Sequence, residues 1–212
     1  MNAPILNRDF YAAPTLQVAR ALLGQRLVRL WQGQRLSGRI VEVEAYIGRE
    51  DQASHARRGR TPRNAAMFGP PGHAYVYLIY GMYHCLNLVT ETAGFPAAIL
   101  IRALEPLEGV ALMQAQRGQA AWRDLLRGPG RLCQALHIDL SLNGADVCSP
   151  THGLWAEADA AVPEDRVLTT PRIHVRGDAE SLARPWRFVI CDHPCVSGPA
   201  SLNHHQSLSL SP

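Results

Sequence analysis

Apolar and polar positions alternate with period two along much of this chain, which places successive side chains on opposite faces of a strand. Arg26 to Trp31 and about Leu36 to Tyr46 read as two strands around a turn at Gln32-Gly33-Gln34. In the second, Val41, Val43 and Ala45 alternate with Glu42, Glu44 and Tyr46. Glu44 and Tyr46 therefore share a face, with Glu42 beyond them at a strand edge, where solvent is its expected surrounding. Tyr75 to Ile79 and Tyr83 to Val89 read as a hairpin turning near Tyr80-Gly81, so Tyr80 stands at its tip. Ala97 to Leu104 is another strand, and Arg102 is the one charge in a run otherwise fit for burial. A lone arginine in such a place is either paired or functional.

Helical spacing is confined to two regions. Leu16, Ala19, Leu22 and Leu23 behind Pro14, with Gly24 as stop, predict a short amphipathic helix. From Pro106 to Leu140 the pattern is again helical, broken by Gly128-Pro-Gly-Arg-Leu132, which predicts a tight turn opening a helix over Arg131 to Leu136. Glycines ahead of a helix either cradle an anion or simply turn the chain. Residues 47 to 72 form a long connection rich in Gly, Arg and Pro, and connections of that length are functional or disordered. Residues 150 to 166 read as an acidic loop, Arg172 to Arg176 and Pro185 to Ile190 as closing strands, and 191 to 212 as a frayed tail. The expected fold is one α+β domain over residues 1–190. Its features are a curved, mostly antiparallel sheet, flanking helices and a protruding β-hairpin.

Composition narrows the chemistry. The chain has 212 residues, 47% of them apolar, with no run approaching a membrane span. The N-terminus has no basic-then-apolar leader, and five irregularly spaced cysteines suit reduced thiols, so a cytoplasmic setting is expected. All 21 basic residues are arginine. Without lysine, no side chain can form a Schiff base or serve as a P-loop ligand. The net charge is only +3, yet five arginines stand between Arg49 and Arg63 against Glu50 and Asp51. A basic patch on a near-neutral body suits a phosphate backbone, although charge runs are usually solvated faces.

Four of the six tyrosines fall between Tyr75 and Tyr83. Taken alone, that run fits an aromatic-rich strand as well as a surface that grips something flat. Its neighbours add a carboxylate beside Tyr46, a histidine at position 55 and the arginine loop. An enzyme acting on a flipped nucleobase needs this set, because it must unstack the base, restack it on protein rings and hold phosphates.

Several stretches together resemble the alkyladenine (3-methyladenine) DNA glycosylases of the mammalian type. They are Val43-Glu-Ala-Tyr-Ile-Gly48, Thr61-Pro-Arg-Asn64, Tyr75-Val-Tyr-Leu-Ile-Tyr-Gly-Met-Tyr83, Ile101-Arg-Ala-Leu-Glu-Pro-Leu-Glu-Gly109 and Gly128-Pro-Gly-Arg-Leu-Cys-Gln-Ala-Leu136. The similarity spans roughly residues 8 to 190. It implies that Glu44 is the general base activating a water, with Arg102 helping to hold that water. It further implies that Tyr46 and His55 flank one side of the flipped base and Tyr77 the other. Tyr80 would enter the duplex, and Asn87 would exclude guanine by a clash with its amino group. Arg57, Arg58, Arg60, Arg63 and Arg131 are the candidate backbone contacts. The implied partner is double-stranded DNA containing damaged purines, bound by a monomer with no metal or cofactor. One position departs from the family: His174 stands where a glycine is usual, beside a backbone carbonyl implied in holding the water.

Two rival readings remain open. Glu42, Glu44, Glu50 and Asp51 would suit a Mg²⁺-dependent nuclease, and the tyrosines a non-catalytic nucleic-acid binder. Cys191, Cys195, His204 and His205 suggest zinc, but their spacing matches no usual zinc knuckle.

Overall fold

Among the described residues, 3–204 of the computed structural model, eight strands pair antiparallel into one curled sheet. The main path is β3 (Ala74–Ile79), β4 (Tyr83–Val89), β5 (Ala97–Glu108), β2 (Gln34–Ile47), β1 (Arg26–Trp31) and β6 (Leu154–Glu157), in that spatial order. The 14-residue β2 is the axis of the sheet. β5 covers one of its edges, while β1 takes positions 34 to 39 of the other. Beyond the end of β1, β8 (Arg187–Ile190) takes over that edge at positions 42 to 44, with β7 (Val167–Thr170) paired outside it. The register of β2 against β5 shifts on both sides of Glu42, leaving Val41 and Arg102 without a direct partner. Such irregularities re-aim side chains.

The core lies under one face of this sheet. Val41, Val43 and Ala45 of β2 bury with Ile99, Ile101 and Ala103 of β5 and with Leu86 and Leu88 of β4. α2 (Thr15–Leu22) adds Val18, Ala19 and Leu22, and α4 (Pro129–Ala135) adds Leu132, Cys133 and Ala135. α1 (Arg8–Ala12), α3 (Val110–Gln116) and α5 (Ala179–Ala183) are short flanking pieces. The alternate face of β2 carries Glu42, Glu44 and Tyr46, as the period-two pattern predicts. The fold is the expected α+β domain with its projecting hairpin. No helix among the described residues is long and apolar enough to cross a membrane.

Several local expectations do not hold. β5 runs on to Glu108 where a helix was expected from Pro106; the ladder slips at Gly38, opposite Pro106, so the missing N–H is tolerated there. Residues 154–157 form β6 within the segment expected as loop, their pattern too short to show a period. Arg172 to Arg176 is no strand. It is a strap whose Arg172 bonds Asp51 and the carbonyls of Ala45 and Ser181, and whose His174 has a left-handed backbone (φ +57°). Of the residues expected as a frayed tail, 191–204 are described; Cys191, Cys195 and Val196 are buried, and the Ser197 N–H donates to the Glu42 carboxylate. His205 and the residues after it lie outside the described residues.

Candidate active site

Glu44 has no solvent exposure, yet both its oxygens are committed to donors. Oε1 accepts the backbone N–H of Ile173 at 2.8 Å, while Oε2 accepts the Tyr46 hydroxyl at 2.8 Å and Nη1 of Arg102 at 3.1 Å. A buried carboxylate bonded by two neutral donors and a guanidinium is fixed in one orientation.

Glu42 was expected to be solvated and is instead fully buried. Its Oε1 accepts Nε of Arg102 at 3.0 Å and Nε of Arg187 at 2.7 Å, and its Oε2 accepts the Ser197 N–H at 2.7 Å. Burial alone would push its carboxyl up, but Arg102 and Arg187 hold it below its ordinary value. Arg102 thus spans both carboxylates of β2. Burial works against its charge, and Glu44 and Glu42 more than restore it. With its oxygens occupied by these donors, Glu42 offers no ready ligand to a divalent cation, which removes the carboxylate pair that a nuclease reading needs. Among the described residues no three His, Cys, Asp or Glu side chains are placed to hold a metal.

The strap that delivers Ile173 is itself clamped. Arg172 makes two bonds to the Asp51 carboxylate, at 2.6 and 2.8 Å, and others to the carbonyls of Ala45 and Ser181. Its guanidinium also lies 4.7 Å from the centre of the Tyr46 ring. The sequence offered Asp51 as loop charge or a nuclease ligand and gave Arg172 and Arg187 no role beyond closing strands. Nothing local marks these residues, because their partners lie 121 and 145 positions away.

A cavity of about 380 Å³ opens against this cluster, within the ordinary size of a small-molecule site. Tyr46, His55, Tyr77, Tyr80, Asn87 and His174 are among its walls. Tyr77 and Asn87 come from paired strands: β3 and β4 oppose Tyr75 to Asn87 and Tyr77 to Cys85, placing all four on one face. The His55 ring meets Tyr77 edge-on at 4.6 Å, and its Nδ1 lies 2.8 Å from the Tyr75 hydroxyl. Burial, with Arg63 and Arg57 nearby, lowers the His55 pKa, so the ring is neutral near pH 7. Tyr46 and Tyr77 are pushed up, chiefly by burial, and keep their protons. Asn87 is fixed by donating Nδ2 to the Tyr75 carbonyl at 3.0 Å.

Tyr80 occupies the hairpin tip with 78% of its surface exposed. The Ile79–Met82 turn closes by a hydrogen bond, and both central residues are left-handed, Tyr80 at φ +55° and Gly81 at +70°. Glycine suits that region and tyrosine does not. A bulky ring held there and turned to solvent is the kind of strained residue found at functional positions. Arg57, Arg58, Arg60, Arg63 and Arg131 are all exposed. Arg63 also donates to the Leu78 carbonyl at 2.8 Å, tying the arginine loop to the hairpin.

The methylpurine-DNA glycosylase family model matches residues 9–194. Relatives named as 3-methyladenine DNA glycosylases match over nearly their full lengths. One from Methanocella arvoryzae is 54% identical over 195 residues, 92% of this chain and 96% of the relative. One from Alkaliphilus oremlandii is 48% identical over 201 residues (91% and 98%), and one from Herpetosiphon aurantiacus 45% over 211 (98% and 95%). Fold, cavity and relatives together define a DNA glycosylase, a hydrolase of base excision repair. The chain belongs to the methylpurine-DNA glycosylase family.

Proposed function

We propose that this protein flips a damaged purine out of duplex DNA into the tyrosine cavity and hydrolyses its N-glycosidic bond with a water activated by Glu44. The observation that carries the reading is the Glu44 carboxylate. It is buried behind Tyr46, a wall of the cavity, and oriented by Ile173, Tyr46 and Arg102. The water gives its proton to Glu44 as its oxygen bonds to C1′, and the C1′–N electrons leave with the purine. An N-alkylated purine is cationic and departs neutral, so an ionised carboxylate and a shaped pocket suffice. Substrates of the class are 3-methyladenine, 7-methylguanine, hypoxanthine and ethenoadenine.

Tyr46 and His55 would lie on one side of the base and Tyr77 on the other, with Asn87 set to clash with the amino group of guanine. Tyr80 fills the gap left in the duplex. Restacking is worth roughly 1–3 kcal/mol per base, enough to offset most of an extrusion cost of a few kcal/mol. A neutral His55 acts as a hydrogen-bonding wall more readily than as a stored proton for neutral leaving bases. With no side-chain amine in the sequence, C1′ is left as a hydrolysed abasic sugar and the strand stays intact.

The test is incubation with duplexes each carrying one of these lesions, in EDTA, scoring free base and strand integrity separately. Base release without strand cleavage is expected. No release from any duplex would overturn the enzyme reading.

A further inference from the structure

A second cavity, of about 360 Å³, lies beside the first, between residues 127–131, where the chain enters α4, and the turn at 197–198. Its walls include Arg102, Arg127, Arg131, His174, Ser197 and Gly198, and no carboxylate lines it. Arg102 is spent on Glu42 and Glu44. The other two arginines are not. Nη1 of Arg127 stands 3.6 Å and Nη1 of Arg131 3.9 Å from Asp124, both beyond hydrogen-bond distance, although Nε of Arg127 donates to the Val196 carbonyl. Two guanidinium forks facing one shared and loosely held carboxylate leave a net positive cleft.

Ser197 adds an independent observation. It is only 7% exposed, and its hydroxyl has no hydrogen-bond partner. Its backbone is held in place by three bonds: its N–H donates to Glu42, and its carbonyl accepts from Nη2 of Arg187 and Nδ2 of Asn203. A buried hydroxyl left unpaired opposes folding, so the network that fixes Ser197 maintains an unspent polar group. Glycine suits the next position. Gly198 has φ +79°, and a Cβ there would stand 2.5 Å from the Ile173 side chain.

Position gives this cleft its meaning. His174 lines both cavities and directly follows Ile173, whose N–H holds Glu44. Arg102 lines the cleft and bonds Glu44 from that side. A nucleotide with its base in the tyrosine cavity and C1′ toward Glu44 runs its sugar past His174, so its chain continues into the cleft. Arginine forks and a hydroxyl are the donors a phosphodiester takes. Resting on the flipped-base reading above, the geometry points to a dedicated seat, made by Arg127, Arg131 and Ser197, for one of the two phosphodiesters adjoining the flipped nucleotide. His174 is the partition between that seat and the base pocket. Of the arginines at residues 57 to 63, Arg57 lines the base pocket and none lines the cleft.

A double-mutant cycle on DNA charge tests this. The wild-type protein and its Arg131→Gln and Ser197→Ala variants are titrated by anisotropy against duplexes with one tetrahydrofuran abasic-site analogue, which has no base to release. Each duplex has either natural linkages or one neutral methylphosphonate, placed immediately 5′ or 3′ of the analogue or four linkages away. On natural DNA, Arg131→Gln should weaken binding on the order of tenfold, the loss expected for a charged hydrogen bond. On one of the two adjoining methylphosphonate duplexes that loss should vanish, and Ser197→Ala should couple to the same linkage. An equal loss on every duplex, or coupling only to the distant linkage, would overturn the seat. Base release by wild type on lesion duplexes is scored separately. Its absence would overturn the glycosylase function without altering the coupling, so the two readings fail independently.

Discussion

Glu42 and Arg187 meet at 2.7 Å with neither side chain exposed, although 145 positions separate them in the chain. Glu42 does not face the tyrosine cavity, but it positions Arg102, which bonds Glu44. Breaking a buried ion pair costs about 3–5 kcal/mol because the remaining charge is left unpaired. Glu42→Gln should lose stability of that order in urea melts. The pH dependence has a definite sign. The folded carboxyl lies below its ordinary value of 4.5, so its contribution is complete above that pH and disappears as pH falls through the lower folded value. The gap between wild type and variant should therefore narrow from pH 6 toward pH 3. A constant gap would show that the charge of Glu42 is not what stabilises the fold.

Glu44→Gln separates chemistry from binding. The amide keeps the shape but cannot take a proton, so single-turnover base release should fall roughly 10²–10⁴-fold. Affinity for a lesion duplex should stay within a few-fold of wild type. A variant that still released base at the wild-type rate would move the catalytic role elsewhere.

How much of this was legible in the sequence differs by element. Period two in β2 placed Glu44 and Tyr46 on one face, and the Tyr80-Gly81 turn put Tyr80 at the tip, because strand faces and tight turns are local properties. Arg102 stood out as one charge in an apolar run. Glu42 was misread because a strand pattern shows which face a residue occupies but not what covers that face. The cover comes from β8 and the 197–203 turns, more than 140 residues away in sequence. The clamp on Ile173 was invisible for the same reason: Asp51 and Arg172 carry no shared local motif. β6 is four residues long and β7 likewise, too short for periodicity to separate strand from loop.

Asp51→Asn tests the strap. Arg172 would lose its charge partner, and the Ile173 N–H would no longer be fixed against Glu44. Misplacement of about 1 Å at a reacting group can cost on the order of 10²-fold in rate. Base release should fall at least tenfold while affinity for undamaged duplex is unchanged, with both measured below the lowered melting temperature. An unaltered rate in the folded variant would show that the strap orients Glu44 without help from Asp51.

Tyr80→Gly should divide stability from function. It removes a left-handed tyrosine, worth roughly 1–2 kcal/mol of relief, partly offset by the freedom glycine gains when unfolded. The melting temperature should hold or rise, while affinity for lesion duplex falls as the wedge is lost. Equal affinity for the two proteins would show that Tyr80 does not enter the duplex.

Asn87→Ala addresses selectivity. Removing the side chain relieves the clash proposed for guanine, and one such pocket change is worth about 1–3 kcal/mol, or tenfold and upward. Guanine release from undamaged DNA should rise by that factor relative to release of an alkylated base. No rise would place guanine rejection at another wall.

The shared edge of β2 also predicts which kinds of genetic change the protein can absorb. One strand pairs with β1 over its first half and carries Glu42, Glu44 and Tyr46 through its second half. A single-residue deletion between those halves would leave the β1 hairpin intact and turn Glu42, Glu44 and Tyr46 onto the apolar face. Insertions in the 47–72 connection meet no such constraint away from its anchored residues. Length variation in this family should therefore collect in the loops around the pocket and be absent from residues 40 to 46.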